Sequence, residues 1–278
     1  MTDLRLCRSL LFLPASNPRA IEKAATLDAD MIILDLEDSV RDEDKSAARE
    51  AALTAASGFG GRPVAIRINP FGTGHYGQDV VCVRRAPAAF VVLSKAESAK
   101  QVADAGWLTG KPILAMIETP RAIVDAATIA PATRGLIAGT NDLAASLGVP
   151  PNPGRPGLTY ALQRIVLAAR AAGVPAFDGV YNRLEADEGL IEECRQGRAF
   201  GFDGKSLIHP SQIEAANHAF SPTMPEIDAA RRLIEAATGG AERHEGRMIE
   251  AMHVDEARAL LAKARISSES LASGGAAP

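Results

Sequence analysis

Two acids, Glu118 and Asp142, each stand just beyond a short apolar run, and an arginine, Arg67, interrupts a third run, Val64-Ala65-Ile66-Arg67-Ile68-Asn69. If the runs holding Glu118 and Asp142 are neighbouring strands of one sheet, their ends lie ~4.8 Å apart. Two carboxylates at that spacing repel unless a cation sits between them. An all-oxygen donor set with room for water suits magnesium, or manganese in its place. Taken singly, each acid could instead be an N-cap or first-turn residue favoured by the helix dipole. A guanidinium inside an apolar strand must meet a carboxylate or an anionic ligand, because burying it alone is costly. Asp35 and Glu37, in Asp35-Leu36-Glu37-Asp38, are the available partners. The alternative is that Arg67 donates to a substrate carboxylate or to a developing enolate. Asp38 and Glu37 could orient metal-bound water, whereas Asp35 reads as structural. Lys95 is a candidate substrate contact, and His209, ahead of Pro210, reads as a structural hydrogen-bonding residue.

These groups share one property: each follows or ends an apolar run. Eight such runs recur, at residues 9–13, 31–36, 64–68, 90–93, 113–117, 136–138, 176–180 and 206–208. The first five lack polar alternation, as expected of strands covered on both faces. Helical patterns lie between them, over 18–27, 45–56, 96–107, 120–129, 160–172, 187–200 and 210–219. In the fifth of these, Leu162, Ile165, Val166 and Ala169 recur at three and four residues, and Gly173 closes the segment. Strand–helix alternation implies a parallel α/β fold, and eight units fit a (β/α)8 TIM barrel, whose typical size is ~250 residues. A doubly wound open sheet is the competitor, but no glycine-rich dinucleotide loop follows the first strand. In such a barrel the chemistry sits at the C-terminal strand ends. Asp35–Asp38, Arg67, Lys95, Glu118, Asp142, Asp178 and His209 are all expected there.

The division expected is a barrel over residues 1–222, a C-terminal helical lid or subunit-crossing segment over 223–266, and a disordered tail over 267–278. The lid helices are expected at 225–237 and 254–264, with Gly239, Gly240 and Gly246 flanking their connection. Residues 148–157, GVPPNPGRPG, read as a rigid loop.

The chain has 278 residues and a net charge of −4, with 47% hydrophobic and 4% aromatic residues, so Ala, Val, Ile and Leu must fill the core. No basic run marks a nucleic-acid footprint. No stretch approaches 18 apolar residues, so no membrane partner is expected. The apolar start at Leu10 is stopped by Pro14, too soon for a signal peptide. Three cysteines without paired spacing, Cys7, Cys82 and Cys194, suit a cytoplasmic protein.

Several segments carry a family resemblance. Arg8-Ser9-Leu10-Leu11-Phe12-Leu13-Pro14 with Glu22-Lys23-Ala24, Asp35-Leu36-Glu37-Asp38-Ser39-Val40, Arg67-Ile68-Asn69, Glu118-Thr119, Gly139-Thr140-Asn141-Asp142-Leu143 and the run from Gly204 to Ile213 occur in order. Together they resemble the citrate lyase β-subunit-like family, which includes malyl-CoA and citramalyl-CoA lyases and is akin to the metal-dependent 4-hydroxy-2-oxo-acid aldolases. The resemblance implies a Mg²⁺-dependent carbon–carbon lyase acting on an acyl-CoA and releasing a 2-oxo acid, assembled as a homotrimer or hexamer. It implies Glu118 and Asp142 as metal ligands and Arg67 as the substrate-polarising group. Phe12 and Lys23 fall at CoA-contact positions. Asn17 stands where relatives carry an arginine, with Arg19 two residues on.

The chain departs at Gly246-Arg247-Met248-Ile249-Glu250, where relatives end in aspartate. Glu250 keeps the carboxylate that the resemblance casts as acid–base group. An aldolase acting without CoA, an acyl-CoA thioesterase, and the β subunit of a multisubunit citrate lyase remain alternatives.

Overall fold

In the computed structural model, residues 3–150, 155–237, 242–244 and 247–274 are described. Eight strands follow one another: β1 (Ser9–Pro14), β2 (Met31–Asp35), β3 (Val64–Ile68), β4 (Phe90–Leu93), β5 (Ile113–Ile117), β6 (Gly135–Ala138), β7 (Ala176–Asp178) and β8 (Gly204–Leu207). Each pairs in parallel with the next, and β8 pairs with β1, so the sheet closes into a barrel. The strands are buried nearly throughout because helices cover their outer faces. In order these helices are α1 (Pro18–Ala24), α2 (Lys45–Ala55), α3 (Tyr76–Arg85), α4 (Ala99–Thr109), α5 (Pro120–Ile129), α6 (Thr140–Leu147), α7 (Thr159–Ala172), α8 (Glu188–Phe200) and α9 (Ile213–Phe220). The TIM barrel expected from the alternation is therefore the fold.

Local chemistry sets the helix starts. The Asn17 side chain accepts from Ala20 N, and Thr119 from Ala122 N, each ahead of a proline at the first helical position. On α7 the buried residues include Leu162, Ile165, Val166 and Ala169, the expected stripe, and Gly173 ends the helix at φ 70°. Helix α3 lies outside the segments expected to be helical. Its mean composition is polar, with Gly77, Gln78, Arg84 and Arg85, and tertiary packing of Val80 and Val83 overrides that weak propensity.

Side-chain alternation builds the interior and the site from the same strands. Leu10 and Phe12, Met31 and Ile33, Ala65, Phe90 and Val92, and Leu114 and Met116 belong to one buried cluster. Continuing that period of two toward the C-terminal end brings Asp35, Arg67 and Glu118 to the next inward layer. Polar residues thus cap an apolar barrel core, as the fold requires of its catalytic face.

The chain divides into two compact units, Met1–Ala219 and Phe220–Pro278. The second holds α10 (Met224–Ala236), a two-stranded antiparallel pair, β9 (Glu242–His244) with β10 (Arg247–Ile249), and α11 (Ala251–Gly274). Helices α10 and α11 stand where the two lid helices are expected. Helix α11 continues to Gly274, through most of the stretch expected to be a disordered tail. Residues 151–154 of the Pro-rich loop, and Gly239, Gly240 and Gly246 of the expected hinge, lie outside the described residues.

Candidate active site

At the C-terminal mouth of the barrel, a cavity of about 360 Å³ is lined by Phe12, Asp35, Asp38, Arg67, Glu118 and Asp142, with Met116, Ala138, Val180 and Ile208 as apolar wall. Arg67 is its most constrained cation. Its Nε donates to Asp35 Oδ1 at 2.6 Å and its Nη2 to Asp35 Oδ2 at 2.5 Å, a bidentate pair across the β2–β3 register. Nη1 lies 2.9 Å from Glu37 Oε2 and 3.9 Å from Asp38 Oδ2. The Phe12 ring lies under the guanidinium, 5.0 Å from centroid to Cζ. Of the two readings of Arg67, the ion pair is realised with Asp35 and fixes the guanidinium plane, and the residue also lines the cavity.

Glu37 bridges two cations, since its Oε1 also accepts from Lys95 Nζ at 3.0 Å. Lys95 Nζ lies 3.5 Å from Asp142 Oδ2, while the Lys95 backbone N–H donates to Glu118 Oε1 at 2.6 Å. Its φ of 48° is in the left-handed region, a strained conformation for a residue with a side chain. That turn lets one residue present its backbone to Glu118 and its ammonium to Glu37 and Asp142.

Asp142 does not end a strand, as its spacing suggested. Strand β6 stops at Ala138, and Asp142 sits in the first turn of α6. The chain must turn at Gly139 to enter that helix, so the acid reaches the cavity from the helix rather than the sheet. Gly139 itself is forced, because a Cβ there would overlap Glu118 Cβ and Oε2. Glu118 is not a helix cap; Thr119 fills that role.

One other rim assignment changes. Asp178 is fully buried in an ion cluster with Arg155 (2.9 Å) and Lys205 (3.1 Å), and does not line the cavity. Strand β7 ends on Asp178 itself, whose side chain alternates away from Phe177 in the barrel interior, so it faces the helix layer. His209 accepts from Ser211 N and caps the short turn Pro210–Gln212, the structural role expected of it. Arg19 and Lys23 are exposed on α1 and are not among the cavity-lining residues. Glu250 lies in the second unit, exposed between β10 and α11, with its backbone N–H donating to His253 Nδ1 at 3.0 Å. The apolar wall was not legible beforehand, although Met116, two residues before Glu118 on the same inward face, carried the signal.

The electrostatics show why a cation fits here. Five carboxyl groups, on Asp35, Glu37, Asp38, Glu118 and Asp142, face two basic side chains, Arg67 and Lys95. Burial alone would raise Asp35, yet the paired Arg67 holds it below the usual carboxylate range. Glu37 is raised by burial and by Asp38, against Arg67 and Lys95. Glu118 is pushed up to about 7, by burial first and then by the charge of Glu37. A buried acid so strongly disfavoured as an anion is a good ligand for a hard divalent ion, which relieves that repulsion. Among the described residues no group of three or more His, Cys, Asp or Glu gathers to hold a metal. Glu118 and Asp142 both line the cavity, and an ion that keeps several waters needs only a few protein carboxylates.

An eight-stranded parallel barrel with acids, arginine and lysine at its C-terminal mouth defines a TIM-barrel enzyme site with oxygen donors for a metal. The chain belongs to the HpcH/HpaI aldolase/citrate lyase family, which matches residues 8–210. A carbon–carbon bond lyase family of the TIM-barrel fold matches residues 157–268. A (3S)-malyl-CoA thioesterase of Cereibacter sphaeroides is 42% identical over 269 residues, covering 92% of this chain and 94% of its own. The citrate lyase subunit beta of Haemophilus influenzae is 34% identical, covering 94% and 98%. Among solved structures, CitE of Mycobacterium tuberculosis in complex with magnesium, acetoacetate and coenzyme A superposes with a TM-score of 0.80 at 36% identity. That match covers 94% of this chain and 100% of the other. Among the described residues no helix is long and apolar enough to cross a membrane.

Proposed function

We propose that the protein is a Mg²⁺-dependent lyase that cleaves, or in reverse forms, the carbon–carbon bond of a 3-hydroxyacyl-CoA. Malyl-CoA and citramalyl-CoA are the substrate class, giving acetyl-CoA or a homologue and a 2-oxo acid. The observation that carries this reading is the single cavity that Glu118, Asp142 and Arg67 line together. Held by Glu118 and Asp142, magnesium (or manganese) would supply Lewis acidity toward the substrate hydroxyl and carboxylate.

The chain's own groups have separable roles. Arg67, locked in plane by Asp35, keeps Nη1 at the cavity to donate to the thioester oxygen as it becomes an enolate. Asp38, whose side chain is 60% exposed and lines the cavity, is the acceptor for the 3-hydroxyl proton, while the buried Glu37 stays ion-paired with Arg67 and Lys95. Glu250 returns a proton to the enolate carbon during cleavage and removes it in condensation. Lys95 meets the substrate carboxylate. Phe12, Lys23 and Arg19 form the CoA contact, and a homotrimer or hexamer is the working assembly.

The test is to supply malyl-, citramalyl- and citryl-CoA with Mg²⁺ and detect the 2-oxo acid. Turnover that stops with a chelator and in Asp142→Ala, while the variant's melting curve keeps its shape, supports the reading; full activity in Asp142→Ala defeats it. The 42% identity to a malyl-CoA thioesterase favours one second reading, hydrolysis of the thioester. That reading wins if malate and free CoA accumulate without glyoxylate.

A further inference from the structure

Behind the acidic turn, on its side away from the cavity, a lysine is buried that no step above uses. Lys45, at the start of α2, is 5% exposed. Its ammonium donates to Leu36 O at 2.8 Å, Glu37 O at 3.0 Å and Asn69 Oδ1 at 3.0 Å. All three hydrogens are therefore spent on uncharged oxygens. An ammonium buried among neutral acceptors is costly, and an apolar side chain of similar length would fill the same space at less cost. What the lysine adds is direction: it draws two consecutive carbonyls and the Asn69 amide to one point.

The same turn is held from its other side. Asp35 Oδ1 accepts from Glu37 N at 2.9 Å and Oδ2 from Ser39 N at 3.1 Å. Asn69 is itself fixed, with Nδ2 donating to Leu36 O (2.8 Å) and to Asp79 Oδ2 (2.6 Å), and Asp79 is anchored by Arg49 Nε at 2.7 Å. Residues 35–39 are thus clamped between a carboxylate facing the cavity and an ammonium behind it. From this clamp the Glu37 side chain leaves to span two cations at once, Arg67 Nη1 at 2.9 Å and Lys95 Nζ at 3.0 Å. A shift of more than about an ångström would take one of them out of ion-pair range.

We infer that Lys45 is a positioning residue of the catalytic rim: by clamping the Leu36–Glu37 backbone against Asn69 it sets the reach of Glu37, and through Glu37 the orientation of Arg67 and Lys95. Its effect on turnover rests on the lyase reading; its effect on Glu37 does not. Lys45→Met in the full chain tests both. Magnesium titration by calorimetry counts intact Glu118–Asp142 sites, since neither of those residues touches Lys45. Turnover per magnesium-binding site is expected to fall roughly 10- to 100-fold, the scale of an ångström-sized misplacement. A lesion that merely unfolds part of the sample would lower the number of sites and leave turnover per site unchanged, and that result overturns the inference. In a crystal structure of the variant, Glu37 is expected to release Arg67 or Lys95; both contacts retained would equally overturn it. If the wild-type chain shows no lyase turnover, the proposed function fails while the crystal structure still decides the clamp. Should Lys45→Met not fold, Asn69→Ala removes one of the three anchors and is read by the same two outcomes.

Discussion

Magnesium binding should be strongly dependent on pH between 6 and 8, and the reason is Glu118. In the metal-free protein its carboxyl is pushed up to about 7 by burial and by the negative charge of Glu37. The ion binds the deprotonated form, so each bound proton must leave first. With that value, the apparent dissociation constant at pH 6 should be ~10-fold weaker than at pH 8, and ~2-fold weaker at pH 7. Binding at pH 6 should release ~0.9 proton, at pH 7 ~0.5, and at pH 8 ~0.1. Calorimetric titrations in buffers of different ionisation enthalpy measure both quantities in one series. The stability of the metal-free protein must carry the same signature with a defined sign. Because the folded-state value lies above the unfolded one of 4.5, Glu118 favours the folded state below pH 4.5. That contribution is lost as pH rises through about 7, a loss of ~3 kcal/mol at most. Saturating magnesium should offset the loss. An affinity that is flat from pH 6 to 8 with no proton release would refute the assignment of Glu118 as a buried ligand.

Gly139→Ala should weaken magnesium binding at least ~10-fold, because the new Cβ occupies the place of the Glu118 side chain; calorimetry at pH 8 reads it. Arg67→Met should lower kcat ~10²- to 10³-fold by removing the oxyanion donor, and should also lower the melting temperature by leaving Asp35 buried without its partner. Lys205→Met should cost ~3 kcal/mol in denaturant melts, as breaking a buried pair does, yet leave turnover per folded molecule unchanged, since the Asp178 cluster lies outside the cavity. Glu250→Gln should reduce turnover ~10²-fold with magnesium affinity unaltered; equal loss of both would remove Glu250 from proton transfer.

Much of this protein is legible along the chain because the barrel repeats a local rule. Strands buried on both faces need unbroken apolar runs, so β1 to β5 stand out, and prolines such as Pro18 and Pro120 mark the starts of the helices that follow. Glu118 and Arg67 are legible for the same reason: a charge on a strand that is otherwise apolar has nowhere to go except the mouth. Asp142 is legible as a ligand candidate but not in its place, because the turn at Gly139 that carries it into α6 depends on Glu118 being packed against that glycine.

What only the tertiary structure decides is which acids share a partner. Asp35 and Asp178 look alike as polar ends of apolar strands. One points inward to Arg67 and the other outward to Lys205 and Arg155, since side chains alternate and a step of one residue reverses the face. Nothing in the sequence singles out Lys45 at the start of an Ala-rich helix, and its burial beneath Glu37 follows from long-range closure of β2 and β3. Residue type and spacing determine the elements and the inventory of chemical groups. Their pairing, and hence the charge each group carries, is decided by distances between residues far apart in the chain, because electrostatic energy depends on separation and burial.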